Sequence, residues 1–205
     1  MRFLTTIMII MFSLSVYSEK GSAGLYTYYI GHESTVSIHG TTNVNTFECV
    51  SERDLPRGYI IAEHYPEEQL MLFSDASLEL EVSSFDCSNR IMNKDFRQAL
   101  GGDSYPYIVI RLLETRLDKR MQDDAGFIIA TVEIMIKQKT VEKEVPVKLS
   151  APGNLSFHAE GSVSLSMSEF GIEAPSPALG IVKVDDELKV RFRLSIGANV
   201  ISGGI

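Results

Sequence analysis

Apolar and polar residues alternate along most of this chain, and that period of two limits its fold more than any other feature. Leu78, Leu80 and Val82 alternate with Ser77, Glu79, Glu81 and Ser83. Successive side chains of a strand point to opposite faces, so the apolar groups fall on one face and the carboxylates on the other. Val36 and Ile38 repeat the pattern, as do Ile108, Ile110 and Leu112 after Pro106, then Val132, Ile134 and Ile136, then Val145, Val147 and Leu149. Leu155, Phe157 and Ala159 lead through Gly161 to Val163, Leu165 and Met167. Val190, Phe192, Leu194 and Ile196 alternate with Arg191, Arg193 and Ser195. Leu25 to Ile30 and Tyr59 to Ala62 are less regular strand candidates. There is no long helical pattern, fixed repeat or low-complexity tract. The class is therefore all-β and antiparallel, with about eight or nine strands. One short helix is expected near Asn93 to Leu100, with Asn93 as N-cap, Asp95 in the first turn, and Gly101 and Gly102 as the stop.

Alternation alone fits a sandwich or a barrel. The strands after residue 105 are long, which favours an extended antiparallel barrel of about eight strands, wide enough to hold one ligand.

The 205 residues suit one domain. Arg2 precedes an apolar run from Phe3 to Val16 that would reach about 21 Å as a helix. A bilayer core is about 30 Å thick, so the run reads as a secretory signal peptide over residues 1–18. Cleavage is expected after Val16-Tyr17-Ser18, with Gly21-Ser22-Ala23 as second choice. The alternative is a buried N-terminal strand or helix. The mature domain would be residues 19–205, its core about 25–197. The first cysteine is Cys49, too distant for a lipoprotein anchor, and no second stretch of spanning length follows. A periplasmic or secreted protein without a stable membrane anchor is the expectation. Losing Arg2 takes the net charge from −8 to −9, since it is the leader's only charged side chain. Such a chain suits neither nucleic acid nor electrostatic attraction to anionic membranes.

Cys49 and Cys87 are the only cysteines. In an exported chain an even count favours one disulfide; the alternative is two buried free thiols.

Asn43 and Asn45 lie two apart on an extended segment. They could grip a ligand head group at the barrel mouth, or hydrogen-bond a bend after Gly40. His32, His39, His64 and His158 lack metal-ligand spacing. Glu79 and Glu81 read as a solvated strand face, not an acid–base pair. No nucleophile elbow is present, Cys87 has no histidine near it in sequence, and Gly101-Gly102 lacks the lysine of a phosphate loop. No catalytic residue, metal site or cofactor is expected. Asn154-Leu155-Ser156 matches a glycosylation acceptor only by pattern. Phe47, Phe85, Phe96, Phe170, Phe127, Phe157 and Phe192 are the large apolar groups able either to wall a tunnel or to pack an ordinary core. The chain has no tryptophan.

Four segments taken in order resemble the YceI-like family, in the variant common among Bacteroidetes-type bacteria. They are Ser37-Ile38-His39-Gly40-Thr41-Thr42-Asn43-Val44-Asn45-Thr46-Phe47-Glu48-Cys49, Phe85-Asp86-Cys87-Ser88-Asn89-Arg90-Ile91-Met92-Asn93, Asp95-Phe96-Arg97 through Tyr105-Pro106-Tyr107-Ile108, and Glu169-Phe170-Gly171-Ile172 with Leu179-Gly180-Ile181-Val182-Lys183-Val184. The better-known branch differs near the start, where Gly31-His32-Glu33-Ser34 stands here. The resemblance implies a lipocalin-like barrel with an apolar interior, able to hold a polyisoprenoid chain, and no chemistry. The expected function is an exported binder or carrier of one long apolar lipid, probed at Asn43, Asn45, Phe47, Phe85, Phe96 and Phe170. The alternative is a non-catalytic interaction module whose barrel is filled by its own side chains. Oligomeric state is not legible.

Overall fold

A computed structural model describes residues 22–51, 57–117, 126–153, 156–175 and 181–203. The expected leader (residues 1–18) and Leu179-Gly180 of the fourth motif lie outside them, as do Asn154 and Leu155.

The strands follow in order: β1 (Ser22–Ile30), β2 (Thr35–Thr42), β3 (Thr46–Ser51), β4 (Arg57–Tyr65), β5 (Leu70–Ser74), β6 (Ser77–Glu81) and β7 (Phe85–Asp86). A helix, α1 (Arg90–Ala99), precedes β8 (Tyr107–Leu117), β9 (Phe127–Ile136), β10 (Lys139–Gly153), β11 (Ser156–Ser166) and β12 (Val184–Gly203). Every pairing is antiparallel, as expected. The order β1-β4-β5-β8-β9-β10-β11-β12 returns to β1, giving a closed ring of eight strands. Closure leaves that part of the sheet no free edge.

Two breaks lengthen the barrel. β12 runs 20 residues, with its C-terminal half on β1 and its N-terminal half on β2. Between β1 and β2 the chain turns at Gly31–Ser34, and the turn is fixed to β12 at Ser195. Gly31 N–H donates to Ser195 O at 2.8 Å, and Ser34 Oγ accepts from Ser195 N–H at 2.9 Å. Likewise β5 and β6 both pair with β8. The break between them holds Asp75 at φ 62°, a left-handed conformation that Asp tolerates better than most residues.

In the second half the ring is split. There β12 continues through β2 and β3 to β7, while β6 hangs on β8, and a 3-10 turn at Val82–Ser84 joins the two margins. The Cys49–Cys87 disulfide ties β3 to the segment just after β7. Both cysteines are buried, and the free-thiol alternative is overturned.

The helix begins earlier than the sequence predicts. Asn89, not Asn93, is the N-cap, accepting from Ile91 N–H at 2.9 Å and Met92 N–H at 3.2 Å. Asn93 sits inside the first turns and folds back, accepting from Cys87 N–H and donating to Asp86 Oδ1, both at 2.7 Å. Asp95 is thereby displaced from the first turn, which holds no acid. The stop is where expected: Gly101 takes φ 63°, and the N–H groups of Gly101 and Gly102 return to Gln98 O and Arg97 O.

Candidate ligand-binding site

Inward positions of nearly every strand open onto one cavity of about 880 Å³. It runs the length of the barrel, from Tyr26, Met71, Phe73 and Thr115 at one end to Val44, Asn45, Pro175 and Val182 at the other. The wall is almost wholly aliphatic and aromatic, because strand periodicity sends Ile128, Ala130, Val132, Ile134 and Ile136 of β9 to the same side. Asp95 is the one charged lining residue among those described. No buried side-chain polar atom among them lacks a hydrogen-bond partner. An apolar space of this kind does not hold ordered water well, since water needs two to four polar partners.

Five of the six predicted site residues line this space. Phe85 and Phe170 are buried and Phe47 and Phe96 half-buried, with the Phe85 and Phe96 ring centroids 5.4 Å apart. That contact fastens α1 to the split margin. Met92, Phe96 and Ala99 share the inward stripe of α1, at helical spacing. Phe47 reaches the cavity across Gly40, its cross-strand partner.

The two asparagines separate. Asn45 stands at the rim, where Thr42 Oγ1 donates to its Oδ1 at 2.9 Å and accepts from its N–H at 2.9 Å. Asn43 does not line the cavity. Its Nδ2 donates to Ile181 O at 3.1 Å and its Oδ1 accepts from Lys183 N–H at 2.9 Å, clamping the β2–β3 turn to the start of β12. Both arms of its carboxamide are spent on backbone, so Asn43 holds the rim together.

Phe157 and Phe192 also line the cavity. Phe127 does not: it faces outward, with Lys148 Nζ 5.9 Å from its ring centre, opposite Lys148 across the β9–β10 ladder. It stands at the first position of β9, where the inward set starts with Ile128.

Residues that the sequence reading missed are Tyr26 and Tyr28. They belong to the inward face of β1 with Ile30, an alternation present in the sequence but obscured by Leu25 and Tyr29 at the outward positions. The Tyr28 hydroxyl donates to Ser77 O at 2.7 Å, bridging β1 to the β5–β6 break. Burial, aided by nearby Glu79, pushes its phenol pKa up.

The Glu-Phe-Gly-Ile motif builds one corner of the wall. Met167–Phe170 is a 3-10 turn closed by a capping box between Ser166 and Glu169, and Gly171 ends it at φ 64°. Glu169 also accepts from Lys143 Nζ at 2.6 Å, and these contacts hold its carboxyl below the usual glutamate range. Phe170 is thereby turned inward. His39 faces outward, between Ser37 Oγ at 2.9 Å and Glu48 at 3.3 Å. No group of three or more potential metal ligands gathers among the described residues.

No family model and no curated protein matches the sequence. Solved structures do. BcnA of Burkholderia cenocepacia is similar at TM-score 0.59 and 18% identity, over 80% of this chain and 96% of that one. A polyisoprenoid binding domain from Saccharophagus degradans, implicated in plant cell wall breakdown, is similar at TM-score 0.58 and 8% identity, over 85% and 98%. A YceI protein of Campylobacter jejuni follows at TM-score 0.50 and 10% identity, over 73% and 82%. At such identities the likeness is one of fold. With its eight-strand ring and the single α-helix among the described residues, this chain has the YceI-like, lipocalin-like β-barrel fold.

Proposed function

We propose that this protein is an exported binder or carrier of one long apolar lipid, isoprenoid-like in character, held inside the barrel without chemical change. The observation that carries the reading is the cavity of about 880 Å³, apolar along its length and continuous from end to end. That size falls within the roughly 300–1,000 Å³ of ordinary small-molecule sites, but the shape is a tunnel and not a cup. At about 25 cal/mol per Å² of apolar area removed from water, an extended hydrocarbon chain gains enough to offset its ordering. The polyisoprenoid binding domain of Saccharophagus degradans, similar in fold, supports the same ligand class. The open tunnel weighs against a self-filled interaction module. Phe47, Phe85, Phe96 and Phe170 would contact the chain, and Asn45 would stand beside its end. Export rests on the apolar leader over residues 1–18 and agrees with a buried disulfide.

The test is native mass spectrometry of protein purified from a membrane-containing lysate, before and after delipidation. A prenyl lipid at one per chain, regained when long prenols are added in detergent micelles, is the expected result. Apoprotein throughout, with no uptake, would sink the reading.

A further inference from the structure

The mouth of the tunnel beside α1 carries a set of side chains that lipid binding alone does not require. Val44 is 64% exposed, Ile91 70% and Ile181 70%, the most exposed aliphatic side chains among the described residues. They come from three separate segments: the β2–β3 turn, the first turn of α1 and the run into β12. All three border the same cavity. Val44 and Ile91 line the cavity, and Ile181 adjoins the lining residue Val182. Asn43, next to Val44, donates to the carbonyl of Ile181. The cavity border therefore carries exposed aliphatic tips continuous with an apolar interior, on a chain whose net charge is −8. Exposed apolar groups set singly are ordinary; gathered around a concavity they mark an interaction surface.

We propose that this rim docks on the surface of a phospholipid bilayer, inserting Val44, Ile91 and Ile181 among the acyl chains so that a lipid passes into the tunnel without crossing water. The inference rests on the lipid-carrier reading and adds the partner from which the ligand is drawn. Three features choose a bilayer over a second protein. The rim leads directly into the tunnel, so a lipid leaving the hydrocarbon layer meets a wall that is apolar apart from a few side chains such as Asn45 and Asp95. The tips are short and aliphatic, with no aromatic among them, whereas protein hot spots favour Trp, Tyr and Arg. Each tip is also bordered by polar groups suited to the headgroup layer. Arg90 and Lys94 lie exposed on α1 beside Ile91, and Lys183 follows Ile181. Of the acids nearby, Asp185 accepts from Thr41 and Asp186 from Ser168, while Asp95 lies on the cavity side of α1. Apolar insertion, with basic residues at its margin, is the physics of a protein that lies on a membrane and does not span it.

The chain lacks tryptophan, so a single introduced indole reports its own surroundings. Ile91→Trp and Ile181→Trp are made separately, with Tyr59→Trp as control on the outer face of β4, away from the rim. Phosphatidylcholine vesicles should shift the emission of both rim reporters to the blue and leave the control unchanged. The shift should survive about 0.5 M salt, where screening leaves charge attraction only a few ångström of reach. An Ile181→Asp variant, changed at the one tip of the three that does not line the cavity, should lose vesicle partitioning at least tenfold while still taking up prenol from detergent micelles. Rim reporters that stay unshifted in a protein that loads from micelles would overturn the docking proposal and leave the carrier reading intact. A blue shift that appears with protein concentration alone, without vesicles, would overturn it in favour of a second copy. Failure to load from either source would instead strike at the carrier reading.

Discussion

Gly40 and Phe47 show how single residues shape this interior. They are cross-strand partners, and a Cβ added to Gly40 would stand 2.2 Å from Phe47 Cζ and 2.9 Å from Leu188 Cδ2. Glycine is needed here for close approach, since the ring lies flat across the strand. Gly40→Ala should therefore destabilise by about 1–3 kcal/mol, as overpacking does. Adding Phe47→Leu should recover most of that loss in urea unfolding; if the double variant is no better than the single one, the contact is not the cause. Glu169 gives a pH-dependent counterpart. Lys143 and the Ser166 N–H hold its pKa below its ordinary value. Its contribution is thus complete above the unfolded-state pKa and is lost as pH falls through the lower folded value. Glu169→Gln should be less stable than the parent at neutral pH, and the gap should close in acid. Equal gaps at both pH values would mean that the carboxylate charge is not what matters.

At the scale of elements, the Cys49–Cys87 bond is the fastening of the split margin. It joins β3 to the segment that leads, through Asn93 bonded to Cys87 N–H, into α1. No residue of α1 is fully buried, so the helix depends on these ties and on Phe96 against Phe85. The bond spans 38 positions, for which chain entropy alone gives about 4 kcal/mol. Cys87→Ser should cost a few kcal/mol and raise amide exchange in α1 well before β9 or β10 is affected. Uniform loosening of the whole barrel would argue against a local fastening. This region also shows the limits of what the sequence could reveal. Strands with one apolar face were legible, because β6, β8, β9 and β12 write their alternation plainly. β5, Leu70-Met71-Leu72-Phe73-Ser74, shows no period of two, and β7 has only two residues, so neither gave a signal. The helix start was misplaced because Asn89 and Asn93 are equally good caps by residue type. Only the tertiary bonds of Asn93 to Asp86 and Cys87 decide between them. The aromatic site residues were legible as large apolar groups in strand-like segments. The exposed rim was not, since an isolated Val44 or Ile181 in a turn carries no pattern.

For the whole molecule the question is whether the barrel needs its hollow. Ala130 and Ala159 are buried, line the tunnel, and are small where neighbouring inward positions hold Val132, Val163 and Leu165. Ala159 stands between Leu149 and Leu194 in the ladder of β10, β11 and β12, and its side chain faces the open space. A carrier and a self-filled barrel respond oppositely to a large group there. In a packed interior Ala159→Phe would force neighbours off their rotamers and cost about 1–3 kcal/mol. In a tunnel of about 880 Å³ the ring has room, and the apolar area it buries should leave stability unchanged or raised. The ring would also cut the tunnel short. The longest prenyl chains should then fall in affinity tenfold or more, while short ones that end before residue 159 should bind nearly as before. Unfolding in urea and a ladder of prenols of increasing length, read by native mass spectrometry, give the two measurements on one sample. Loss of stability without a change in preferred chain length would mean that the interior is packed and that lipid, where it binds, lies elsewhere.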